Sequence, residues 1–376
     1  MTCPQCQEAA KFQRWQGKTV VSAVGVFRLE RAYYYCRHCG HGHSPWETIL
    51  GLTSQDLTPG ASELTSLAGV VAAFEEVSQK ILPKLAGIRL CESTAQRTTE
   101  AAGQRLSDAL ASGATWGESR VWDWSRDGSG RRCAYVSLDA TGVGQQGPQG
   151  GKADGKMVYV GMIFNAGVDG PSQARYRAGL YDLDELGLQL RRQGGQVGMN
   201  HAEQWIALTD GGAGLEEFMQ RNFPLAECIL DFFHAAEHLN DLAKAWHPQN
   251  EEQAQELGRQ WCHRLKHEGG QAVLTVLEEL DLRGRSPVVR EVHRQVTQYV
   301  RNNVHRMDYP RYRTNGWLIS SGHVEAACKT IVGQRLKGSG MRWSEDGAHT
   351  VSSLRALFKS EADQWDTFWV PATKAA

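Results

Sequence analysis

The chain has 376 residues, of which 41% are hydrophobic and 22% are charged, and its formal net charge is −1. This composition is typical of a globular protein with two or three domains, and it excludes a chain that is basic over its whole surface. No apolar run approaches the roughly 20 residues of a membrane span, and the N-terminus lacks the pattern of a secretory signal. We therefore expect a soluble cytoplasmic protein whose nine cysteines are reduced rather than paired in disulfides.

Two Cys-x-x-Cys pairs lie near the N-terminus, and a β-rich segment interrupted at Gly25 separates them. The pairs are Cys3 with Cys6 and Cys36 with Cys39. Four thiolates brought together at the base of a hairpin form a tetrahedral structural zinc site. The gap between the pairs exceeds that of a zinc finger, so residues 1–58 are predicted to form a zinc ribbon. The alternatives are free reduced cysteines, or a histidine in place of one sulfur: His38, His41 or His43.

Residues 59–112 have the hydrophobic spacing of three helices separated by proline and glycine. The third helix is predicted to begin at a cap formed by Ser93 and Thr94. A helix, a short glycine-containing turn and a capped helix are compatible with a helix-turn-helix domain that binds DNA, although any small helical bundle gives the same pattern. Residues 113–131 are rich in glycine and serine and are predicted to be a linker.

Five β-rich segments and two helical ones follow, and this alternation predicts a mixed α/β sheet. The first strand is predicted over residues 133–139 and ends at Asp139, before a glycine-rich loop. The fourth is predicted over residues 205–210 and ends at Asp210. The fifth is predicted over residues 226–233, at the start of a long helical stretch.

The sheet domain is predicted to be interrupted by a helical insertion and followed by a tail. These parts are residues 132–235 and 315–345 for the sheet domain, 236–314 for the insertion and 346–376 for the tail. A helix is predicted to start at a cap formed by Ser321 or Gly322, with Glu325 in its first turn, where the positive end of the helix favours a carboxylate.

The region around Glu325 is basic, because residues 285–342 contain 11 Lys and Arg against three acids. Four of these cations follow Glu325 and are candidate contacts for DNA phosphates: Lys329, Arg335, Lys337 and Arg342. The alternative is a solvent-exposed helix with an ordinary ion pair between Glu325 and Lys329.

Three acids far apart in the sequence, Asp139, Asp210 and Glu325, together predict a site for divalent metal. Carboxylates held by rigid elements can bind two ions ~3.5–4 Å apart, which activate an attacking oxygen and stabilise the leaving oxygen in phosphoryl transfer. A competing pattern is His234-Ala-Ala-Glu237-His238 on a predicted helix, which matches the inverted zinc-peptidase arrangement.

These motifs, in this order, resemble bacterial insertion-sequence transposases of the Kra type. Those proteins are DDE enzymes with a ribonuclease-H-like core and a distant kinship to Mutator-like transposases. The resemblance covers nearly the whole chain, and the block from Ser320 to Trp343 is its most specific part. The matching strings are the two cysteine pairs, Leu29–Tyr33, the strand ending at Asp139, Thr209–Gly211, Ile229–His238, Tyr309–Ile319, Ser321–Ala326, Arg335–Lys337 and Met341–Trp343.

The resemblance implies a ribonuclease-H-like mixed sheet with a helical insertion, preceded by a zinc ribbon and a helix-turn-helix-like domain. It implies that Asp139, Asp210 and Glu325 bind catalytic Mg²⁺ or Mn²⁺, and that Asp231 and His234 form a D-x-x-H signature near the site or the DNA. The implied partner is double-stranded DNA, at the element ends and the target, bound by a nucleoid-associated homo-oligomer. The alternative is a transposase-derived DNA-binding protein without catalytic activity.

Overall fold

The computed structural model describes residues 1–52, 55–167 and 171–370. At the N-terminus, β1 (Ala10–Ser22) and β2 (Gly25–Cys36) form a long antiparallel hairpin, to which β3 (Gly42–His43) adds a short third strand. The predicted interruption at Gly25 is confirmed, because this residue starts β2 after a two-residue turn and has a φ of 132°. A short helix, α1 (Pro45–Ile49), follows.

The next region is helical, as predicted. Its helices are α2 (Pro59–Val71), α3 (Phe74–Glu76), a π-helical turn (Val77–Ile81), α4 (Leu82–Leu85) and α5 (Glu92–Ala111). The cap predicted at Ser93 and Thr94 is wrong, since α5 begins at Glu92 with Cys91 as its N-cap. The two hydroxyl groups lie against the Cys91 sulfur, at 3.3 and 3.0 Å.

The segment predicted as a linker, residues 113–131, contains no helix or strand but is fixed to the sheet domain. Trp122 and Trp124 are both buried, and the Trp124 Nε1–H donates a hydrogen bond of 3.1 Å to the Gly198 carbonyl. Two buried indoles tie this segment to the sheet domain more firmly than its glycine and serine content predicts.

The central sheet is mixed and has five strands. They are β4 (Cys133–Gln146), β5 (Lys152–Ala166), β6 (Pro171–Gly179), β7 (Gln204–Thr209) and β8 (Ala226–Leu230). Their spatial order is β6-β5-β4-β7-β8, with antiparallel pairing up to β4 and parallel pairing from β4 to β8. The predicted mixed α/β sheet is thus confirmed.

Two predicted strand ends are wrong. β4 does not stop at Asp139 but continues to Gln146, because the glycine-rich stretch pairs with β5 and forms the end of a long hairpin. β8 ends at Leu230 rather than at residue 233, because Asp231 is the N-cap of the helix that follows.

Helices cover both faces of the sheet. α6 (Leu183–Gln196) and α7 (Leu215–Asn222) pack on one face, with Ala134, Val136 and Leu138 of β4 beneath them. The remaining helices follow β8: α8 (Phe232–Trp246), α9 (Glu251–Glu268), α10 (Gly270–Glu279), α11 (Pro287–Asn303), α12 (Tyr309–Thr314), α13 (Gly322–Ala327), a π-helical segment (Cys328–Gly333), α14 (Gln334–Leu336), α15 (Glu345–Lys359) and α16 (Ala362–Trp369).

The C-terminal part is not a tail, as far as the structure describes it. α15 has ten buried residues and packs against α5 and β6. Leu354 and Leu357 share a hydrophobic core with Leu106 and Leu110 of α5. The helical region therefore rests on the C-terminal helices. Among the described residues, no helix combines the length and the hydrophobicity that a membrane crossing needs.

Candidate functional site

The hairpin brings the two cysteine pairs together, as predicted. The sulfur atoms of Cys3, Cys6, Cys36 and Cys39 all lie within 4.8 Å of one another. The distances are 3.6 Å between Cys3 and Cys39 and 3.6 Å between Cys6 and Cys36. No histidine joins this group within the part of the chain that the structure describes. The cluster could bind a structural zinc ion with four thiolates.

The acidities of these thiols also suit a cation. Burial raises the pKa of Cys3, but the backbone N–H groups of Cys6 and Gln5 donate to its sulfur and bring the pKa down to about 7. At Cys6 a backbone donor also lowers the pKa, but burial and the three neighbouring sulfurs outweigh it and raise the pKa to about 12. Four sulfurs this close resist full ionisation, and a bound Zn²⁺ would relieve that repulsion.

Strand register brings Asp139 close to Asp210, which directly follows the end of β7. Ser137 of β4 pairs with Leu208 of the parallel strand β7, and each acid lies two residues further along its chain. Residues two apart on a strand point to the same face. Tyr135 and Leu208 on this face belong to the hydrophobic core that also contains residues of α13.

Glu325 comes to the same face on α13, in the first turn as predicted. The helix is held there by Val324, Ala327 and Cys328, which are buried in the core beneath it. The Cys328 thiol is in hydrogen-bonding contact with the Asp139 carboxylate. The third predicted acid therefore lies on a helix that packs directly over the first.

The pKa of Asp139 reflects this environment. Burial raises it above the ordinary value of 3.8, and the negative charges of Asp210 and Glu325 raise it further. Hydrogen bonds from the Ala140 N–H, at 2.6 Å, and from the Cys328 thiol act in the opposite direction and offset only part of the rise. The three acids thus interact electrostatically, although they do not form a group of metal ligands within 4.8 Å of one another.

Asp231 links the elements that carry the other acids. Its carboxylate is fully buried and accepts hydrogen bonds from the N–H groups of Phe233, at 2.5 Å, and His234, at 3.2 Å, which cap α8. The other oxygen accepts from the Ser321 N–H, at 2.6 Å, and from the Ser321 hydroxyl. That hydroxyl also lies 3.2 Å from Glu325 Oε1. The backbone N–H of Asp231 donates to the Thr209 carbonyl, beside Asp210, at 2.8 Å.

His234 projects from the start of α8 toward the same acids. Ligand atoms of Asp231, His234 and Glu325 all lie within 4.8 Å of one another. His238, in contrast, packs against Tyr299, with ring centroids 4.0 Å apart and the rings tilted by 41°, and does not join any such group among the described residues. This arrangement does not favour the peptidase alternative, which needs both histidines on one metal ion.

The four cations predicted to contact DNA fall into two classes. Lys329, Lys337 and Arg342 are exposed, and the Lys337 ammonium group donates to the hydroxyl of Thr141, two residues beyond Asp139. The ion pair proposed as an alternative, between Glu325 and Lys329, is not present among the described residues. These three cations remain candidates for phosphate contacts.

The prediction for Arg335 is wrong. Its side chain is only 2% exposed, its guanidinium group lies between the rings of Phe74 and Trp343, and its Nε–H donates to the Gly69 carbonyl at 2.7 Å. Arg335 therefore joins the helical region to the sheet domain and is not available to a phosphate.

Sequence reasoning missed Ser321 as a hydrogen-bonding partner, Cys328 as a neighbour of Asp139, and Arg306. The buried Arg306 donates to the Thr209 hydroxyl at 3.1 Å, next to Asp210. No sequence signal identified Arg306 or Cys328, since both contacts depend on tertiary packing. Ser321 was considered only as a helix cap, and its proximity to Asp231 is set by the fold.

The chain was compared with models of known protein families and with curated proteins, and neither comparison found a match.

We predict that Cys36→Ser lowers the zinc content of the purified protein by about one ion per chain relative to wild type. The reason is that a structural zinc site needs all four ligands to hold its metal. Zinc would be measured by mass spectrometry after dialysis. Cys91→Ser is the matched control, because Cys91 is exposed and lies outside the cluster. Equal zinc in both variants and wild type would contradict the site.

We predict that Asp231→Ala lowers the free energy of unfolding by about 1–3 kcal/mol, because it removes a helix cap and leaves the buried Ser321 N–H without its acceptor. Urea unfolding of the single variants Asp231→Ala and Ser321→Ala and of the double variant would give their coupling. Asp241→Ala, at an exposed position of the same helix, should change the free energy by less than about 0.5 kcal/mol. Fully additive effects of the first two changes would refute the link.

A third prediction concerns pH. Because the pKa of Asp139 is raised in the folded protein, the folded state binds this proton more tightly than the unfolded chain does. The stability that the group contributes therefore falls as the pH rises from below 3.8 through the raised pKa. Without added magnesium, Asp139→Asn should then unfold at a higher urea concentration than wild type at neutral pH. This advantage should shrink on acidification, and an advantage that grows instead would contradict the assignment.

Proposed function

We propose that this protein is a DDE transposase, similar to those of Kra-type insertion sequences. In this proposal it cleaves DNA at the ends of a mobile element and transfers the freed strand to target DNA. The observation that carries the proposal is the proximity of Asp139, Asp210 and Glu325. The negative charges of Asp210 and Glu325 both oppose the ionisation of Asp139. Mutual repulsion of this kind is what a divalent cation would relieve.

The fold supports the proposal. The spatial strand order β6-β5-β4-β7-β8, with three antiparallel strands followed by two parallel ones, is the arrangement expected of a ribonuclease-H-like core. The four-cysteine hairpin corresponds to the proposed zinc ribbon. The helices between residues 59 and 112 correspond to the helix-turn-helix-like domain, and α8 to α12 to the insertion. In the proposed function, a homo-oligomer binds double-stranded DNA through the zinc ribbon and the helix-turn-helix-like domain.

The three acids fit a catalytic magnesium site, because they supply oxygen ligands from β4, from the residue that follows β7, and from α13. When bound there, two Mg²⁺ ions would supply activation of the attacking oxygen and neutralisation of the phosphate. Asp139, Asp210 and Glu325 would hold them, while Asp231 keeps α13, and with it Glu325, at a fixed distance from α8. Lys329, Lys337 and Arg342 would contact the DNA phosphates and make binding dependent on salt.

The proposed chemistry has two balanced steps. Water attacks a phosphodiester at the element end, the bond from phosphorus to the 3′ oxygen breaks, and the leaving oxygen takes a proton to become a free 3′-hydroxyl. That hydroxyl then loses its proton as its oxygen bonds to a target phosphorus, while the bond from this phosphorus to the target's own 3′ oxygen breaks and the leaving oxygen takes a proton. No residue of the chain becomes covalently attached, so the protein acts by positioning and by charge stabilisation.

We predict that purified protein nicks labelled DNA from the regions flanking its own gene in the presence of Mg²⁺. The variants Asp139→Ala, Asp210→Ala and Glu325→Ala should each lower the rate by about 10²-fold or more, while DNA binding in a gel-shift assay is largely retained. Glu237→Ala is the matched control, because that acid is exposed and outside the group formed by Asp231, His234 and Glu325.

Near-normal nicking by one acid variant would remove that residue from the site. DNA that is bound but never cut by the wild-type protein would favour the alternative function, a transposase-derived DNA-binding protein.

A further inference from the structure

We propose that His234 supplies a nitrogen ligand to a divalent ion shared with Glu325, so that this position favours Mn²⁺ and Co²⁺ over Mg²⁺. The inference deepens the proposed function, on which it rests, by assigning a mixed nitrogen and oxygen ligand set to part of the site. It starts from three side chains whose ligand atoms lie within 4.8 Å of one another: Asp231 and His234 at the start of α8, and Glu325 on α13.

The first argument is the state of the His234 ring. Its Nδ1 atom is buried and has no hydrogen-bond partner among the residues that the structure describes, although the side chain as a whole is 37% exposed. The nearest carboxylate oxygen of Asp231 is 3.9 Å away, beyond a hydrogen bond. A buried polar atom without a partner is uncommon in proteins, and a bound ion is one of its ordinary explanations.

The second argument is that Asp231 has no free acceptor position. Its two oxygens already accept four hydrogen bonds, from the N–H groups of Phe233, His234 and Ser321 and from the Ser321 hydroxyl. A carboxylate has about four lone pairs, so Asp231 is saturated and acts as a positioning residue. Within the described part of the chain, Glu325 accepts only one side-chain contact, at 3.2 Å from the Ser321 hydroxyl. The atoms that remain for a cation are Nδ1 of His234 and the oxygens of Glu325.

The third argument is chemical selectivity. Mg²⁺ prefers oxygen ligands in a regular octahedron, whereas imidazole nitrogen suits later divalent metals, whose affinity rises from Mn²⁺ through Co²⁺. The Asp231 bond to the His234 backbone N–H fixes the start of the helix from which the ring projects. A site with one nitrogen ligand among oxygen ligands would still bind Mg²⁺ and support activity, but its affinity for Mg²⁺ would be lower than its affinity for Mn²⁺.

The test is pulsed electron paramagnetic resonance on the full-length, zinc-loaded protein, with Mn²⁺ alone as the probe and no DNA. Wild type should show a ¹⁴N coupling from a coordinated imidazole. His234→Ala should lose that coupling and bind Mn²⁺ at least about tenfold more weakly, while its affinity for Mg²⁺ changes less. His238→Ala is the matched control, since this ring lies one turn further along the same helix and packs against Tyr299. Glu325→Gln should also weaken Mn²⁺ binding.

Absence of the nitrogen coupling in wild type, or its persistence in His234→Ala, would overturn the assignment. The readout is separate from catalysis. Nicking in Mg²⁺ without nitrogen coupling would refute the His234 ligand and leave the transposase proposal intact. Nitrogen coupling that His234→Ala removes, in a protein that never cuts DNA, would support the metal site and refute the proposed function.

Discussion

The buried carboxylate of Asp231 is the constraint on which the site depends. It caps α8, accepts from both donors of Ser321 at the start of α13, and its own N–H bonds to the carbonyl next to Asp210. Three elements that carry candidate ligands are therefore tied to one residue. A buried carboxylate is tolerated only when it is fully hydrogen-bonded, and here each bond also fixes a distance between functional elements. The Phe232 N–H adds a further bond across the same junction, to the Ile319 carbonyl.

This arrangement concentrates negative charge on one face of the sheet, and the fold is less stable for it. Asp139 lies beneath α13, where burial and two neighbouring charges oppose its ionisation. Nearby cations do not neutralise it fully, because Lys337 bonds to Thr141 and Arg306 to Thr209 and Asn303. Charge left uncompensated in a partly buried position is typical of sites that bind an ion or a charged substrate, where strain in the free protein is relieved on binding.

Much of the architecture could be predicted from the sequence, because it depends on local patterns. The spacing of the two cysteine pairs predicts the four-cysteine cluster, and the β-rich segments predict the strands of the sheet. The position of Asp210 directly after a short buried strand follows from the length of that strand. The predictions that were wrong concern features that depend on packing between segments far apart in the sequence, which no local pattern contains. The strand ending predicted at Asp139 assumed that glycines stop a strand, but β5 pairs with the glycine-rich stretch and extends β4 past it. The segment predicted as a tail has an apolar face that is buried against α5, and this contact cannot be inferred from the segment's own sequence.

The burial of Arg335 accompanies an irregularity in the helix that carries it. The chain from Gly322 to Leu336 runs as one helical rod, but residues Cys328–Gly333 are π-helical. A π turn contains more residues than an α turn, so every later side chain is rotated relative to an α-helical expectation. This rotation accompanies the burial of Arg335 between two aromatic rings, while Lys337 emerges beside the β4 strand. The same π-helical segment places Cys328 next to Asp139, so the irregular turn also shapes the site.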